Sequence, residues 1–192
     1  LSDIHIGPSI DLDDFDEILK LALLQKPNRV VITGDLIDKL AWLPQVCERL
    51  TTFAKQIPDG VDFILGNHEY HHDVNKVLDS LKRNTPMNIL VNSNIQIMGG
   101  KQPVYIAGVA YDNDRKKDNR EAMINKALSG IPDYAFVILL AHHPEFFEES
   151  IERKIPLTLS GHTHGGQIVF MGMPLVPTGT PYTKGRYVQE QS

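Results

Sequence analysis

Short β-branched runs alternate with segments of helical period along this chain, and nearly every run empties into a loop carrying Asp, Asn or His. Phe15, Ile18, Leu19, Ala22 and Leu23 recur at the spacing of one helix face, with Asp11 placed to cap the helix and Pro27 following its end. Arg29 to Thr33 then predicts a buried strand stopped by Gly34, with Asp35 at its carboxyl end. The pattern repeats with a helix presenting Leu43, Val46, Cys47, Leu50 and Phe53, a strand at Val61 to Leu65, and the loop Gly66-Asn67-His68-Glu69. A helix using Val74, Val77, Leu78 and Leu81 follows, then extended runs at Ile89 to Val91, Ile95 to Met98 and Tyr105 to Val109, expected as consecutive strands of a second sheet. Beyond a charged turn, Asp112 to Asp118, come a helix around Glu121 to Leu128 and an apolar strand, Phe136 to Ala141, ending at His142-His143-Pro144. A short helix and the strand Leu157 to Leu159 lead into Ser160-Gly161-His162-Thr163-His164-Gly165-Gly166. Strands and helices in this order predict one α/β sandwich over residues 1–192 rather than separate domains.

Bulk properties narrow the function. A net charge of −5, without a Lys/Arg-rich face, argues against general nucleic-acid binding. The apolar stretches are too short to span a bilayer, so membrane association would have to come from segments outside this chain, and localisation stays open. Cys47, the one cysteine, falls on the apolar face of its helix and is expected to be a small buried hydrophobe. A start at Leu1 without methionine and a polar run ending at Ser192 suggest a fragment of a longer protein.

Six of the eight histidines lie in polar loops beside apolar strands; His71 and His72 follow shortly after one such loop. In open α/β sheets the carboxyl ends of strands form the ligand crevice, so loops distant in sequence can converge there. Asp3, His5, Asp35, Asn67, His142, His162 and His164 make a nitrogen and oxygen donor set suited to Mn, Fe, Zn or Ni, and no thiolate is present to build a closed structural zinc site. Seven donors exceed the needs of one ion. With Asp35 between them they divide into two sites with positions left open for water and substrate. Each piece alone is weak, since an Asp-X-His pair is commonly a surface pair and Gly-Asp an ordinary turn. The conjunction, each piece after a strand, carries the weight.

The series Asp3-Ile4-His5, Gly34-Asp35, Gly66-Asn67-His68-Glu69, His142 and Gly161-His162-Thr163-His164 resembles the five-block signature of the calcineurin-like metallophosphoesterase superfamily. The longer forms Leu1 to Gly7 and Leu159 to Ile168 resemble its bacterial YkuE-like branch, which includes membrane-associated phosphodiesterases. The resemblance implies a four-layer α/β/β/α sandwich of two mixed sheets flanked by helices. It implies that Asp3, His5 and His164 bind a first metal, that Asn67, His142 and His162 bind a second, and that Asp35 bridges them. His68 corresponds to the family's catalytic histidine. Two departures stand out: Glu69 where many members have Asp, and first and final strands that look truncated.

The implied function is a dinuclear, metal-dependent phosphoester hydrolase acting on a small phosphoester, with two divalent ions (Mn, Fe or Zn, Mn favoured) and a metal-bridging hydroxide as nucleophile. His68, as an imidazolium, would protonate or stabilise the leaving group, its ring oriented by Glu69 or a backbone carbonyl. The branch resemblance favours phosphodiesters. Phosphomonoesterases and nucleotide-sugar or lipid-precursor pyrophosphatases share the same donors, and a dinuclear amidohydrolase or a non-catalytic protein-binding scaffold are rival readings. His71, His72 and His143 are expected at the rim or behind the ligands.

Overall fold

The computed structural model describes residues 1–111, 117–166, 169–170, 173–174 and 179–189. Within them run α1 (Leu12–Leu24), β1 (Val30–Ile32), α2 (Leu43–Ala54), β2 (Val61–Phe63), α3 (Asn67–His71), α4 (Val74–Asn84), β3 (Asn88–Ile89), β4 (Ser93–Met98) and β5 (Val104–Gly108). Then come α5 (Lys117–Ala127), β6 (Phe136–Leu140), α6 (Phe146–Glu152), β7 (Leu157–Leu159), β8 (Val169–Phe170) and β9 (Met173–Pro174). Residues 112–116 of the expected charged turn, and Gln167 and Ile168 of the last motif, lie outside the described residues.

Two sheets flanked by helices form the α/β architecture expected from the sequence. The first has the order β1-β2-β3, parallel throughout; the second has the order β4-β5-β6-β7, with β4 antiparallel to β5 and the rest parallel. The period-2 alternation of strand side chains assigns each face. Val30, Ile32, Val61 and Phe63 pack under α1, α2 and α4, against Phe15, Leu50, Phe53, Val77 and Leu81. Their neighbours Val31 and Ile64 turn the other way and meet Ile95, Ile106, Ile138 and Leu140 of the second sheet. Ala107, Val137 and Leu139 face outward beneath α5 and α6, against Ile124, Ala127 and Phe146. Cys47 is buried in the first helical layer, as its position predicts. Asp62, at the centre of β2, is fully buried; Arg29, 2.7 Å away, neutralises it, and Asn88 Nδ2 donates to it at 2.8 Å.

α1 begins where the sequence places it. Asp11 accepts the N–H groups of Asp13 and Asp14, and the Asp14 side chain returns to the Asp11 N–H. The expected membership of the run at Ile89 is corrected. It pairs parallel with β2 in the first sheet, Leu90 N–H donating to Phe63 O at 2.8 Å, because the α4 crossover returns the chain beside the strand it left. The loop expected at Gly66 to Glu69 is instead the entry to α3. No helix of the described residues is long and apolar enough to cross a membrane.

Two backbone arrangements bring the strand ends together. Residues 1–5 run along the outer side of β1: the Leu1 amino group donates to Val31 O, Thr33 N–H to Leu1 O, Asp3 N–H to Gly34 O and His5 N–H to Asp35 O, all at 2.9–3.1 Å. In the second sheet the pairing continues past the strands, with Ala141 N–H on Leu159 O and Gly161 N–H on His142 O. At the centre the fully buried Glu69 carboxylate accepts the N–H groups of Gly66 (2.7 Å), Asp35 (3.0 Å) and Leu36 (2.7 Å). Burial pushes this carboxyl up, against the pull of those hydrogen bonds. Gly66 and Gly34 permit the crossing: a Cβ on Gly34, where φ is +95°, would lie 2.5 Å from Gly66 N, and one on Gly66 would collide with the Asp35 carboxylate.

Replacing Glu69 therefore strands buried N–H donors on two loops at once. Glu69→Gln is expected to cost about 2 kcal/mol and Glu69→Ala about 3–4 kcal/mol of unfolding free energy. Urea unfolding of the metal-free variants checks both values.

Candidate metal centre

All of the sequence-predicted donors sit at carboxyl ends of strands or on the segment paired beside β1. Asp3 and His5 ride on the first segment, Asp35 follows β1, Asn67 follows β2, His142 follows β6, and His162 and His164 follow β7. Residues of positive φ concentrate here. Among the described residues eight non-glycine residues have it, and five of them are Asp3, His5, Asp35, His162 and His164, between +49° and +74°. Because that region costs an L-residue of order 1–3 kcal/mol, the local sequence does not favour these turns, and the tertiary pairing imposes them.

Side chains from these loops converge in two overlapping groups. In the first, His5 Nε2 lies 3.0 Å from His164 Nε2 and 3.7 Å from Asp35 Oδ2, while His164 Nε2 is 3.5 Å from Asp3 Oδ1. In the second, His142 Nε2 lies 3.2 Å from Asp35 Oδ2 and 3.0 Å from Asn67 Oδ1, which also meets His162 Nδ1 at 2.9 Å. Asp35 touches both groups through the same oxygen. Asp3 is itself held by the His162 N–H at 2.9 Å and by the Ser2 hydroxyl.

Hydrogen-bond accounting shows what fits between these atoms. His142 Nδ1 is 2.7 Å from Thr33 O, which can only accept, so Nδ1 carries a hydrogen and Nε2 is the ring atom turned towards two oxygens. His5 repeats the arrangement: Nδ1 faces Asp38 Oδ1 at 3.1 Å, and Nε2 is directed towards His164 and Asp35. So many electron-rich atoms this close together call for positive charge among them, and the nitrogen and oxygen donors fit divalent cations. The titration behaviour reflects the same demand. Burial alone would raise the Asp35 carboxyl, but the His142 ring, with the His68 N–H at 2.8 Å, holds it down to about 2. Burial would lower His142, and the Asp35 carboxylate outweighs it and raises that imidazole above its usual range.

His68 lies beside both groups. Its N–H donates to Asp35 Oδ1, and its Nδ1 sits 2.7 Å from Asp38 Oδ1. The expectation that Glu69 or a backbone carbonyl orients this ring is corrected: Glu69 is spent on backbone N–H groups, and Asp38 meets the ring. Asp38 went unnoticed in the sequence, although it follows Asp35 by three residues in the same loop. His71 is exposed, its ring 5.0 Å from that of His68, and His72 is half-buried. His143 is buried rather than at the rim and stacks on His162 with ring centres 3.8 Å apart. Residues 179–189 also reach the site, where the Thr163 hydroxyl donates to Thr183 O at 2.6 Å between His162 and His164.

Known proteins resemble this chain along most of its length. An uncharacterized metallophosphoesterase of Campylobacter jejuni is 36% identical over 97% of the chain and 48% of its own length. A putative metallophosphoesterase of Caenorhabditis elegans is 32% identical over 100% of the chain and 41% of its own length. The uncharacterized metallophosphoesterase YkuE of Bacillus subtilis is 30% identical over 97% of the chain and 65% of its own length. The chain thus spans about half the length of the first two relatives. Residues 1–166 match the family model described as calcineurin-like phosphoesterase, and the chain belongs to that family.

Proposed function

We propose that this chain is the catalytic part of a metal-dependent phosphoester hydrolase that holds two divalent cations and prefers phosphodiesters. The observation that carries this reading is the convergence of imidazole nitrogens with carboxylate or carboxamide oxygens, with Asp35 Oδ2 facing both His5 Nε2 and His142 Nε2. Asp3, His5 and His164 would hold one cation, Asn67, His142 and His162 the other, and Asp35 would bridge, with Mn, Fe and Zn the candidate ions. When bound, such a pair supplies a nucleophile from water at neutral pH and neutralises charge on the phosphate.

The protein's own groups do the rest. Thr33 O and Asp38 Oδ1 engage Nδ1 of His142 and His5 and so turn Nε2 of each towards the place a cation would occupy. Asp38 likewise holds Nδ1 of His68, leaving Nε2 of that ring to deliver a proton to a departing alkoxide. A small phosphoester suits the acidic chain, whose net charge of −5 gives no general affinity for nucleic acid.

Chelation is expected to abolish hydrolysis of an activated aryl phosphodiester, and Mn²⁺ to restore it; full activity after verified metal depletion would refute the reading. A panel of phosphomonoesters, diesters and pyrophosphates assayed in Mn²⁺ tests the diester preference. Asp35→Asn is expected to weaken both cations, His164→Ala mainly the first and Asn67→Ala mainly the second, by about 10–100-fold in affinity. Metal analysis of the purified variants decides the bridging role. His68→Ala is expected to keep both cations and to slow an alkyl diester by about 10²–10⁴, with a much smaller effect on a nitrophenyl diester, whose leaving group needs little protonation. Equal losses for both leaving groups in a fully metallated variant would remove the proton-donor role.

A further inference from the structure

Four aromatic rings run in contact from α3 to the candidate ligand His162. Tyr70 is centred 5.6 Å from Tyr111, Tyr111 4.9 Å from His143, and His143 lies 3.8 Å from His162 at an interplanar angle of 27°. His142 meets the same imidazole from the side, with centres 5.1 Å apart and planes at 73°. The column returns to its start: Tyr70 stands on α3 three residues after Asn67, whose Oδ1 lies 2.9 Å from His162 Nδ1. Asn67, His162, His143, Tyr111 and Tyr70 therefore close a circuit of contacts around the second group of donors.

The circuit constrains the one freedom that matters for a ligating imidazole, rotation of its ring plane. Turning His162 about its Cβ–Cγ bond would drive the ring edge into the face of His143 and pull Nδ1 off Asn67. His143 cannot easily yield, because it is 6% exposed, has Tyr111 against it, and has its Nδ1 3.4 Å from Glu145 Oε2.

We propose that His143, backed by Tyr111, is a positioning residue for the second cation site: its ring face fixes the plane of His162 and so sets the affinity of that site alone. The inference rests on the reading that Asn67, His142 and His162 hold a cation. Removing a partner that orients a ligating imidazole typically costs about 10–100-fold in metal affinity.

The test is Mn²⁺ titration of metal-depleted protein by calorimetry, with metal analysis, for wild type, His143→Leu, His143→Phe and Tyr111→Leu. Leu fills the space of His143 without a flat ring, and Phe restores the ring without the nitrogen facing Glu145. His143→Leu is expected to bind one of the two equivalents as wild type does and the other about 10–100-fold more weakly. His143→Phe should recover most of that loss, and Tyr111→Leu should show a smaller loss in the same equivalent only. Two wild-type equivalents in His143→Leu, equal weakening of both equivalents, or His143→Phe no better than Leu would each overturn the proposal. A wild-type protein that takes up no second equivalent would overturn the two-cation reading itself, and this inference with it.

Discussion

The fully buried carboxylate of Glu69 makes one rigid object of two strand-end loops. Three backbone N–H groups from the loops after β1 and β2 end on its two oxygens, and those loops carry Asp35, Asp38, Asn67 and His68. A five-residue helix such as α3 has no stability of its own, since a helix this short does not recover the cost of nucleation. Tied through its third residue to both loops, it holds its orientation, and Asn67 and His68 inherit that orientation. The Glu69 carboxylate thus serves the backbone of both loops.

Much of this was legible in the sequence because it follows from local periodicity. The faces of α1 and α2, and the polar loops after Ile32, Phe63, Leu140 and Leu159, follow from 3.6-residue and alternating patterns. The assignment of the run at Ile89 failed because sheet membership depends on the handedness of a crossover, which the run itself does not encode. Asp38 was missed for a related reason. Beside an apolar pair it looks like a solvated acid, and only the left-handed backbone at Asp35, with φ at +50°, turns the loop so that Asp38 reaches two imidazoles. The contact between His143 and His162 joins loops nineteen residues apart through the β6–β7 pairing, and no short-range pattern signals it.

Strain and ligand placement coincide here. Five of the seven expected donors occupy a backbone region that their residue type disfavours, at an aggregate cost of roughly 5–15 kcal/mol if each contributes 1–3. Such a cost is tolerable only where hydrogen bonds from several elements over-determine each turn, as the Gly34, Asp35 and His142 carbonyls do for residues 3, 5 and 161. The backbone that carries these imidazoles and carboxylates is thus held by hydrogen bonds from other elements of the fold.

The segment that delivers Asp3 and His5 has a second effect. β1 is flanked on one side by β2, and on the other its Val31 carbonyl and the following Thr33 N–H would be free to template any extended chain that drifted past. Leu1 occupies both of those groups. The same segment that carries Asp3 and His5 therefore covers a sheet edge against intermolecular strand addition, so a variant that loosened it would be prone to aggregate.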